Sequence, residues 1–402
     1  MKVLVLNCGS STLKFQVIEV IASRSPGRRE QSLARGLIDR LGDHAVCTFA
    51  LAGSLPGRET IPIPDHEEAV RQVFLWLEQN PAVAPRELGA VGHRVVHGGD
   101  RFRSSVLIDD EVLAAIEACN DLAPLHNPQS VSGIRAARKI LGPAIPMAAV
   151  FDTSFHHTLP DYASTYAIPY ELSLRHRIRR YGFHGLAHRY LSLRYGEVTQ
   201  RPVEQTKIIT LHLGNGCSVT AIRSGRSLET SMGFTPLEGL VMGTRSGDLD
   251  PAVVSYLARK EGLSLGEVEA LLNERSGLLG ISGLSGDMRE LFDRSRSDAR
   301  ARLAVEIFCY RARKYLGAYL AVLGGADAVI FSGGIGENAP GVRAQICEGM
   351  EWCGLRLDQE LNGRVIGTEG RISSAEARLE AFVMPVDEER VIALETASLL
   401  AK

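Results

Sequence analysis

The chain has 402 residues, 45% hydrophobic and 23% charged, which excludes the disordered and fibrous classes and points to two domains rather than one core. Its 45 basic and 47 acidic residues leave a formal net charge of −2, so it offers neither a basic field for a nucleic acid nor a basic run for an anionic membrane. Seven cysteines without a CxxC pair, a strand-like start (KVLVLN) too short for a signal peptide, and no apolar run near the ~20 residues that span a bilayer predict a reduced, cytoplasmic chain.

Taken in chain order, residues 2–18 (KVLVLNCGSSTLKFQVI) predict two β-rich runs about a tight turn of glycine and small polar residues. Residues 21–36 are polar and read as a surface excursion. Residues 65–79 set Val70, Val73, Phe74 and Leu77 on one helical face, with Asp65 and Glu68 at capping-box spacing. Helices are also predicted over 128–140 and 250–261, with Pro128 and Pro251 near their starts. Residues 207–222 (KIITLHLGNGCSVTAI) echo the first hairpin: laying Gly9 on Gly214 puts Leu6 on Leu211 and Ser10 on Asn215. Two such hairpins imply a duplicated domain, with chance similarity as the plainer alternative. A long helix is predicted from Asp298 through Leu303, Ile307 and Tyr310 to Gly324-Gly325, then a buried strand over 328–334 and a further helical segment. From Asp387 a last helix carries three acids in its first turn, which suits the helix dipole. Alternating strands and helices imply α/β layers.

Neither GxxxxGK[ST] nor GxGxxG occurs. In their place stand three small-residue loops: Gly9-Ser10-Ser11-Thr12, Gly214-Asn215-Gly216 and Gly333-Gly334-Ile335-Gly336. Missing side chains let backbone N–H groups approach phosphate oxygens, and Lys14 lies two residues past the first loop. Any one of these reads more readily as a hairpin or capping glycine; three together, two in echoing hairpins, favour phosphate binding. Arg94 and Arg245 sit among small or apolar neighbours and offer the guanidinium fork that holds carboxylate or phosphate by two hydrogen bonds. His184 and His188 are four apart, but without HExxH or a near third ligand they read as imidazole donors and not as a zinc pair. Asp152 follows an apolar run and precedes a helix-like stretch, where capping is its plainer role.

The strings NCGSSTLK (7–14), HRVVHGG (93–99), PLHNP (124–128), VFDTSFH (150–156), YGFHG (181–185), HLGNG (212–216), TRSGDLDP (244–251), SGDMR (285–289), GGIGEN (333–338) and DEE (387–389) occur in this order. Over essentially the whole chain they resemble the acetate kinase family, within the sugar kinase, Hsp70 and actin superfamily. The resemblance implies an α/β fold of two duplicated RNase H-like domains with the active site in the cleft between them. The expected boundaries are 1–152 plus 386–402 for the first domain and 153–385 for the second. The second would carry most of the nucleotide site and a homodimer interface.

What the resemblance implies residue by residue is a magnesium-dependent transfer between ATP and acetate, giving ADP and acetyl phosphate. Arg94 would hold the acetate carboxylate, Arg245 with His184 the transferring phosphoryl, and Asp152 is the family's further catalytic position. A carboxylate acceptor is already ionised at pH 7, so Asp152 is expected to orient Arg94, metal-bound water or the phosphoryl and not to abstract a proton. Val96, Leu125, Phe183 and Pro236 would enclose the methyl group. ATP would meet Lys14, His212, Leu213, Gly214, Asn215 and Gly216, then Asp287, Met288 and Arg289, and Gly334, Ile335, Gly336, Glu337 and Asn338. Asn7 and Glu388 would ligate Mg2+, with Mn2+ as a substitute and Glu389 as the competing acid. Val386 stands where the family has threonine, next to that metal site. Propionate and, less well, butyrate are rival acceptors, since one methylene is worth only about 1–3 kcal/mol in such a pocket. A non-catalytic ATP-binding protein of the actin or Hsp70 kind is the alternative of a different class.

Overall fold

A continuous apolar run, Val3 to Leu6, buried on both faces builds β1 (Lys2–Cys8), which pairs in a first hairpin with β2 (Thr12–Ile21), Asn7 opposite Lys14 and Cys8 opposite Leu13. Its turn closes as the Gly9 N–H donates to the Thr12 carbonyl at 2.8 Å. The structure, a computed structural model, describes residues 1–21, 29–124 and 126–401, and the chain divides into two units. One comprises Met1–Phe155 and Asp387–Lys402, the other His156–Val386.

In the first unit, β3 (Arg29–Asp39), β4 (Gly42–Leu51) and β5 (Gly57–Ile63) continue antiparallel from β2. On the other side of β1 lie β6 (Ala90–Val95), β7 (Val106–Leu107) and β8 (Met147–Phe151), giving the order β5-β4-β3-β2-β1-β6-β8-β7. β6 is parallel to β1 and β8 to β6, so the ends that carry Asn7, Arg94 and Asp152 fall side by side. Residues 29–36, expected as a surface excursion, are the first part of β3; residues 22–28 lie outside the described part. Among the described side chains of β3 only Ala34 and Ile38 are buried, and the neighbouring strands satisfy the backbone that its polar side chains seemed to leave for water.

The helix expected over 65–79 runs His66–Glu78, with the Asp65 carboxylate accepting from the Glu68 N–H at 2.9 Å. The reciprocal half of the capping box is missing, because Glu68 turns to Arg71 and Gln72 instead. Asn127–Leu141 realises the helix expected over 128–140. The C-terminal helix, Glu388–Leu400, returns to the first sheet against β6. Gly92 makes that approach feasible, since a Cβ there would stand 2.5 Å from Thr396 Oγ1 and 2.7 Å from Ile392 Cγ2.

The second unit holds β9 (Lys207–Leu213), β10 (Cys217–Arg223), β11 (Arg226–Thr230), β12 (Ala328–Ser332), β13 (Gly370–Arg371) and β14 (Glu380–Val383). Their order is β11-β10-β9-β12-β14-β13. An antiparallel trio followed by two parallel strands, β3-β2-β1-β6-β8 in the first unit, recurs as β11-β10-β9-β12-β14. The hairpin echo is therefore a structural duplication. Helices form where expected at Ala252–Glu261 and Ala299–Leu323, the latter capped by Asp298 and ended by Gly324 in a left-handed conformation. β12 stops at Ser332, two residues before the expected end, because Gly333 (φ +77°) turns the chain into the helix Gly333–Asn338. Among the described residues no helix is long and apolar enough to cross a membrane.

Of the five histidines buried in these cores, three are held below their ordinary value. Burial pushes His93 down to about 3 and His97 down to about 4. His188 is held well below its ordinary value by burial, reinforced by His156, His212 and His184. All three stay neutral in the folded chain, while their unfolded counterparts titrate near ~6.5. Below that pH the unfolded state takes up protons that the folded state refuses, so this stability is complete above ~6.5 and is lost as pH falls toward 4. At about 1.4 kcal/mol per unit for each group, the three withdraw as much as about 6 kcal/mol by pH 5. Urea unfolding midpoints measured between pH 7.5 and 5 should fall steeply. Flat midpoints over that range would contradict neutral burial.

Candidate active site

At the ends of the first unit's parallel strands, three polar side chains close on one another. Arg94 of β6 donates Nη2 to Asp152 Oδ2 at 2.9 Å and Nη1 to Asn7 Oδ1 at 3.3 Å. Asn7 Nδ2 donates in turn to Glu389 Oε1 at 3.3 Å. Asp152 is 1% exposed, a depth at which a carboxylate keeps its charge only beside a cation. Burial works against the guanidinium as well, but Asp152, Glu388 and Glu389 more than offset it and hold Arg94 above the ordinary arginine value. The buried Nε of Arg94 has no hydrogen-bond partner among the described residues, a spare donor beside the bonds that Nη1 and Nη2 make. Glu388 opens the C-terminal helix beside this cluster. Crowding by protein atoms pushes its carboxyl up to about 7, with Arg94 opposing and Asp152 and Glu389 adding to the shift. Lys14, exposed on β2 directly opposite Asn7, acts in the same cluster by drawing the Glu388 value down.

Val96 follows β6 and is buried. Leu125, the second expected wall of the methyl pocket, lies outside the described residues. Phe183 and Pro236 belong to the second unit, Phe183 fully buried with its carbonyl accepting from His156 Nε2 at 3.0 Å, and Pro236 half-buried.

In the second unit the β9–β10 turn is the organising feature. The Gly214 N–H donates to the Gly216 carbonyl at 3.0 Å, and Gly243 N–H donates to the Asn215 carbonyl at 3.0 Å, tying the 243–245 loop to the turn. A Cβ on Gly216 would lie 3.4 Å from both Arg245 Nη1 and His184 Cε1, so the two side chains converge within contact distance of that position. His184 takes left-handed backbone angles (φ 57°, ψ 27°) ahead of the helix Gly185–Thr199, conformations that cost a non-glycine residue about 1–3 kcal/mol. The His212 ring meets His184 edge-on at 4.9 Å. Arg245 is half-buried, forms no ion pair among the described residues, and is held below the ordinary arginine value by burial. Its one recorded polar contact is Met242 Sδ at 3.8 Å. Arg94 is a neutralised cation; Arg245 is an uncompensated one.

A cavity of about 510 Å³ opens beside this turn. Of the expected nucleotide residues, Gly214, Asn215, Asp287, Met288, Arg289, Gly334, Ile335 and Asn338 line it. Leu213 is buried behind it, and Gly336 packs toward Phe331 and Leu213. Glu337 folds back, its carboxylate accepting from the Gly333 N–H at 2.9 Å and the Ser332 hydroxyl at 3.4 Å. His212 and Gly216 belong to the His184–Arg245 end, and Lys14 to the first unit's cluster. Gly333 lets two of the three small-residue loops touch, since a Cβ there would stand 2.6 Å from the Leu213 carbonyl oxygen. The cavity also has walls that sequence reasoning missed: Gly286, Phe292, Asp293 and the segment Ala339 to Val342. The run APG after GGIGEN was the available signal, for Gly341 accepts the Phe292 ring so closely that a Cβ would sit 2.3 Å from Cζ.

A profile of the acetokinase family matches residues 2–394. An acetate kinase from Solibacter usitatus is 57% identical over 403 residues, covering 98% of this chain and 97% of that protein. The crystal structure of Porphyromonas gingivalis acetate kinase is similar with a TM-score of 0.89 at 42% identity, covering 99% of each chain. A propionate kinase from Francisella tularensis is similar to the same degree, with a TM-score of 0.89 at 40% identity and 99% coverage of both chains. The chain thus belongs to the acetokinase family and is a phosphotransferase that moves a phosphoryl group between ATP and the carboxyl group of acetate.

Proposed function

We propose that the two arginines divide the reaction, Arg94 clamping the acyl substrate and Arg245 neutralising the phosphoryl group in flight. The observation that carries this reading is their contrast in electrostatic setting. Arg94 is already paired with Asp152 and keeps Nε and further Nη hydrogens to donate, which suits a substrate carboxylate bound in ground and transition state alike. Arg245 has no anion of its own among the described residues, and an uncompensated, half-buried guanidinium is best matched by charge that develops during transfer. In the forward direction a carboxylate oxygen of acetate forms a bond to the γ-phosphorus as the bond to the β,γ-bridging oxygen breaks. The electron pair leaves with ADP. The acetate oxygen needs no proton removed, so Asp152 acts by fixing the plane of the Arg94 fork.

ATP is assigned to the 510 Å³ cavity, with its phosphates directed along the Gly214–Gly216 turn toward His184 and Arg245. Val96, Leu125, Phe183 and Pro236 are assigned to the methyl group. The metal reading rests on donor chemistry. Asn7 and Glu388 offer hard oxygens, and Glu388 carries a carboxyl pushed up to about 7 in a crowd of acids that a cation would relieve. Two protein oxygens suffice for Mg2+, which keeps waters and takes substrate phosphate oxygens for the rest, and Mn2+ fits the same set. Bound there, the ion would neutralise charge on the phosphates. Glu389 is occupied by Asn7 Nδ2, which favours Glu388 as the ligand.

The defining experiment is ATP-dependent acyl phosphate formation trapped with hydroxylamine, run on acetate, propionate and butyrate. Acetate is expected to give the highest kcat/KM; a higher value for propionate would reassign the acyl substrate while leaving the arginine roles in place. Truncating Arg94 to alanine should raise the acetate KM and slow turnover. It should also destabilise the fold by about 3–5 kcal/mol, because Asp152 is left buried without its cation. Arg245→Ala should leave the acetate KM near wild type and lower kcat by about 10²–10³-fold. Should the acetate KM respond to Arg245→Ala alone, the assignments are reversed.

For the metal, Glu388→Gln keeps shape and loses charge, and should raise the Mg2+ concentration for half-maximal activity by roughly 10–100-fold. Glu389→Gln should raise it much less. The opposite ranking in a magnesium titration transfers the ligand to Glu389.

Assembly follows from the second unit, whose Tyr162, Tyr170, Leu174 and Tyr256 are 55% or more exposed. A homodimer through that unit should scatter light at twice the mass of the 43.6 kDa chain. A single-chain mass at micromolar concentration would remove the proposal.

A further inference from the structure

His184 stands at the start of a helix without capping it: the position before Gly185 carries no side-chain cap hydrogen bond. Its ring turns to the strand hairpin instead, where Nδ1 lies 2.9 Å from Ser218 Oγ. One helical turn on, His188 reaches the same hydroxyl from the other side, Nε2 to Ser218 Oγ at 2.7 Å, and its Nδ1 lies 2.7 Å from Thr210 Oγ1. Thr210, His188 and Ser218 are all fully buried. Four groups on one helix and two strands thus form an unbroken line that ends on the residue converging with Arg245 over Gly216.

We infer that Ser218 is a positioning residue for phosphoryl transfer: its one hydroxyl couples His184 to the buried His188–Thr210 pair and fixes which ring nitrogen of His184 carries the proton. The inference rests on His184 serving the transferring phosphoryl, as proposed above.

Proton counting carries the argument. His188 is neutral in the folded chain, so it has one N–H, and Ser218 has one O–H. Only two directions satisfy the line. In the first, Thr210 donates to His188 Nδ1, His188 Nε2–H donates to Ser218, and Ser218 donates to His184 Nδ1. A neutral His184 then holds its proton on Nε2, the atom beside Gly216 and the Arg245 guanidinium. In the second, every bond is reversed, and Nε2 of a neutral His184 becomes an acceptor, useless to a phosphoryl oxygen. Among the groups beside the two rings are His188, His212 and Arg245 at His184, and His156 at His188, 5.9 Å away. Of the two directions, only the first leaves a neutral His184 with an Nε2–H that can donate to a phosphoryl oxygen. Ser218 holds it there by donating to Nδ1, in the way a second partner sets the tautomer of many functional histidines. A donor prepared in this way costs no reorganisation when charge develops on the phosphoryl oxygens.

The test is Ser218→Ala, with Ser218→Thr as the variant that keeps the hydroxyl, each read by steady-state kinetics from pH 5.5 to 9 and by ¹⁵N spectra of histidine-labelled protein. The His184 signals are identified from their loss in His184→Ala. In the wild-type chain His184 should show Nε2 protonated and Nδ1 bare. Ser218→Ala should convert it to a mixture of tautomers, move the acid limb of the kcat–pH profile, and lower kcat by about 10–100-fold. That loss is smaller than the ~10²–10³ that follows removal of a donor itself. The acetate and ATP KM values should change by less than about threefold, and Ser218→Thr should restore both the tautomer and most of kcat. An unchanged His184 nitrogen signature in Ser218→Ala overturns the inference, whatever happens to the rate. So does a wild-type kcat and pH profile in that variant. If His184→Ala itself keeps wild-type kcat, the assignment of His184 fails, and that outcome is distinguishable because the nitrogen spectra still report whether Ser218 sets the ring. Should alanine at 218 fail to fold, the tautomer in Ser218→Thr and in His188→Gln decides.

Discussion

Asp152 carries a charge in a place where water reaches 1% of it, and it does so because Arg94 lies 2.9 Å away. Taking both ions out of water is costly, and their attraction only repays the cost when the geometry is good and other partners complete it. Here the completion comes from Asn7 on the neighbouring strand and from the acids that begin the C-terminal helix. Strand order explains why these groups can meet at all. β1, β6 and β8 run in parallel, so their C-terminal ends line up and the residues just past them share one edge, the usual place for ligands on such sheets. Disturbing the pair would therefore be felt at the Arg94 guanidinium, at the amide of Asn7 and at the acids of the last helix together.

The second unit holds its loops differently, by burying arginines against carbonyl oxygens. Arg343 is fully buried and makes no ion pair among the described residues. Its Nη1 donates to the Gly336 and Glu337 carbonyls at 2.8 and 3.1 Å, and its Nη2 to those of Asn362 and Val365 at 2.7 and 2.8 Å. Burial brings it down to about 10, still charged at neutral pH. Arg180 does the same for the carbonyls of Thr230, Ser231 and Met232 while pairing with Glu238. A carbonyl at the end of a short helix or in an irregular loop lacks a ladder partner, and a five-donor fork can serve several at once. These arginines stiffen the segments that carry the GGIGEN glycines and Pro236 without touching the cavity themselves.

How much of this is legible in the residues depends on how local the determining contact is. A β-rich run and a glycine turn are written within a few positions, so both hairpins and their duplication can be read directly from KVLVLNCGSS and KIITLHLGNG. β3 hides because its apolar residues fall in adjacent pairs, Leu33-Ala34 and Leu37-Ile38, and not in strict alternation, amid a polar run that looks like loop. Motif resemblance located most of the cavity wall but not Phe292 or Gly341, which meet only once two helices pack. Nor could it separate the two arginines: Arg94 and Arg245 look alike in a string, and their difference is made by a carboxylate at position 152. The joining of His184 to His188 through Ser218 is of the same kind, since a hydroxyl on a strand names no partner until the helix is laid across it.

The last helix also bears on how the chain is made. Asn7 bonds to Glu389, Arg390 pairs with Glu30, and Ser105 bonds to Glu395, so the first unit borrows its closing element from the far end of the molecule. Synthesis at roughly 5–20 residues per second would put about 20–80 s between the two ends. For that interval the nascent first unit holds β6 with the groove above Gly92 unfilled and Arg94 short of two of its acids. The second unit, contiguous in the chain from His156 to Val386, has no such wait. Order of emergence and order of completion are thus opposed: the half begun first is finished last, and a chain halted just short of Asp387 would have a full cavity wall but lack two of the three acids around Arg94.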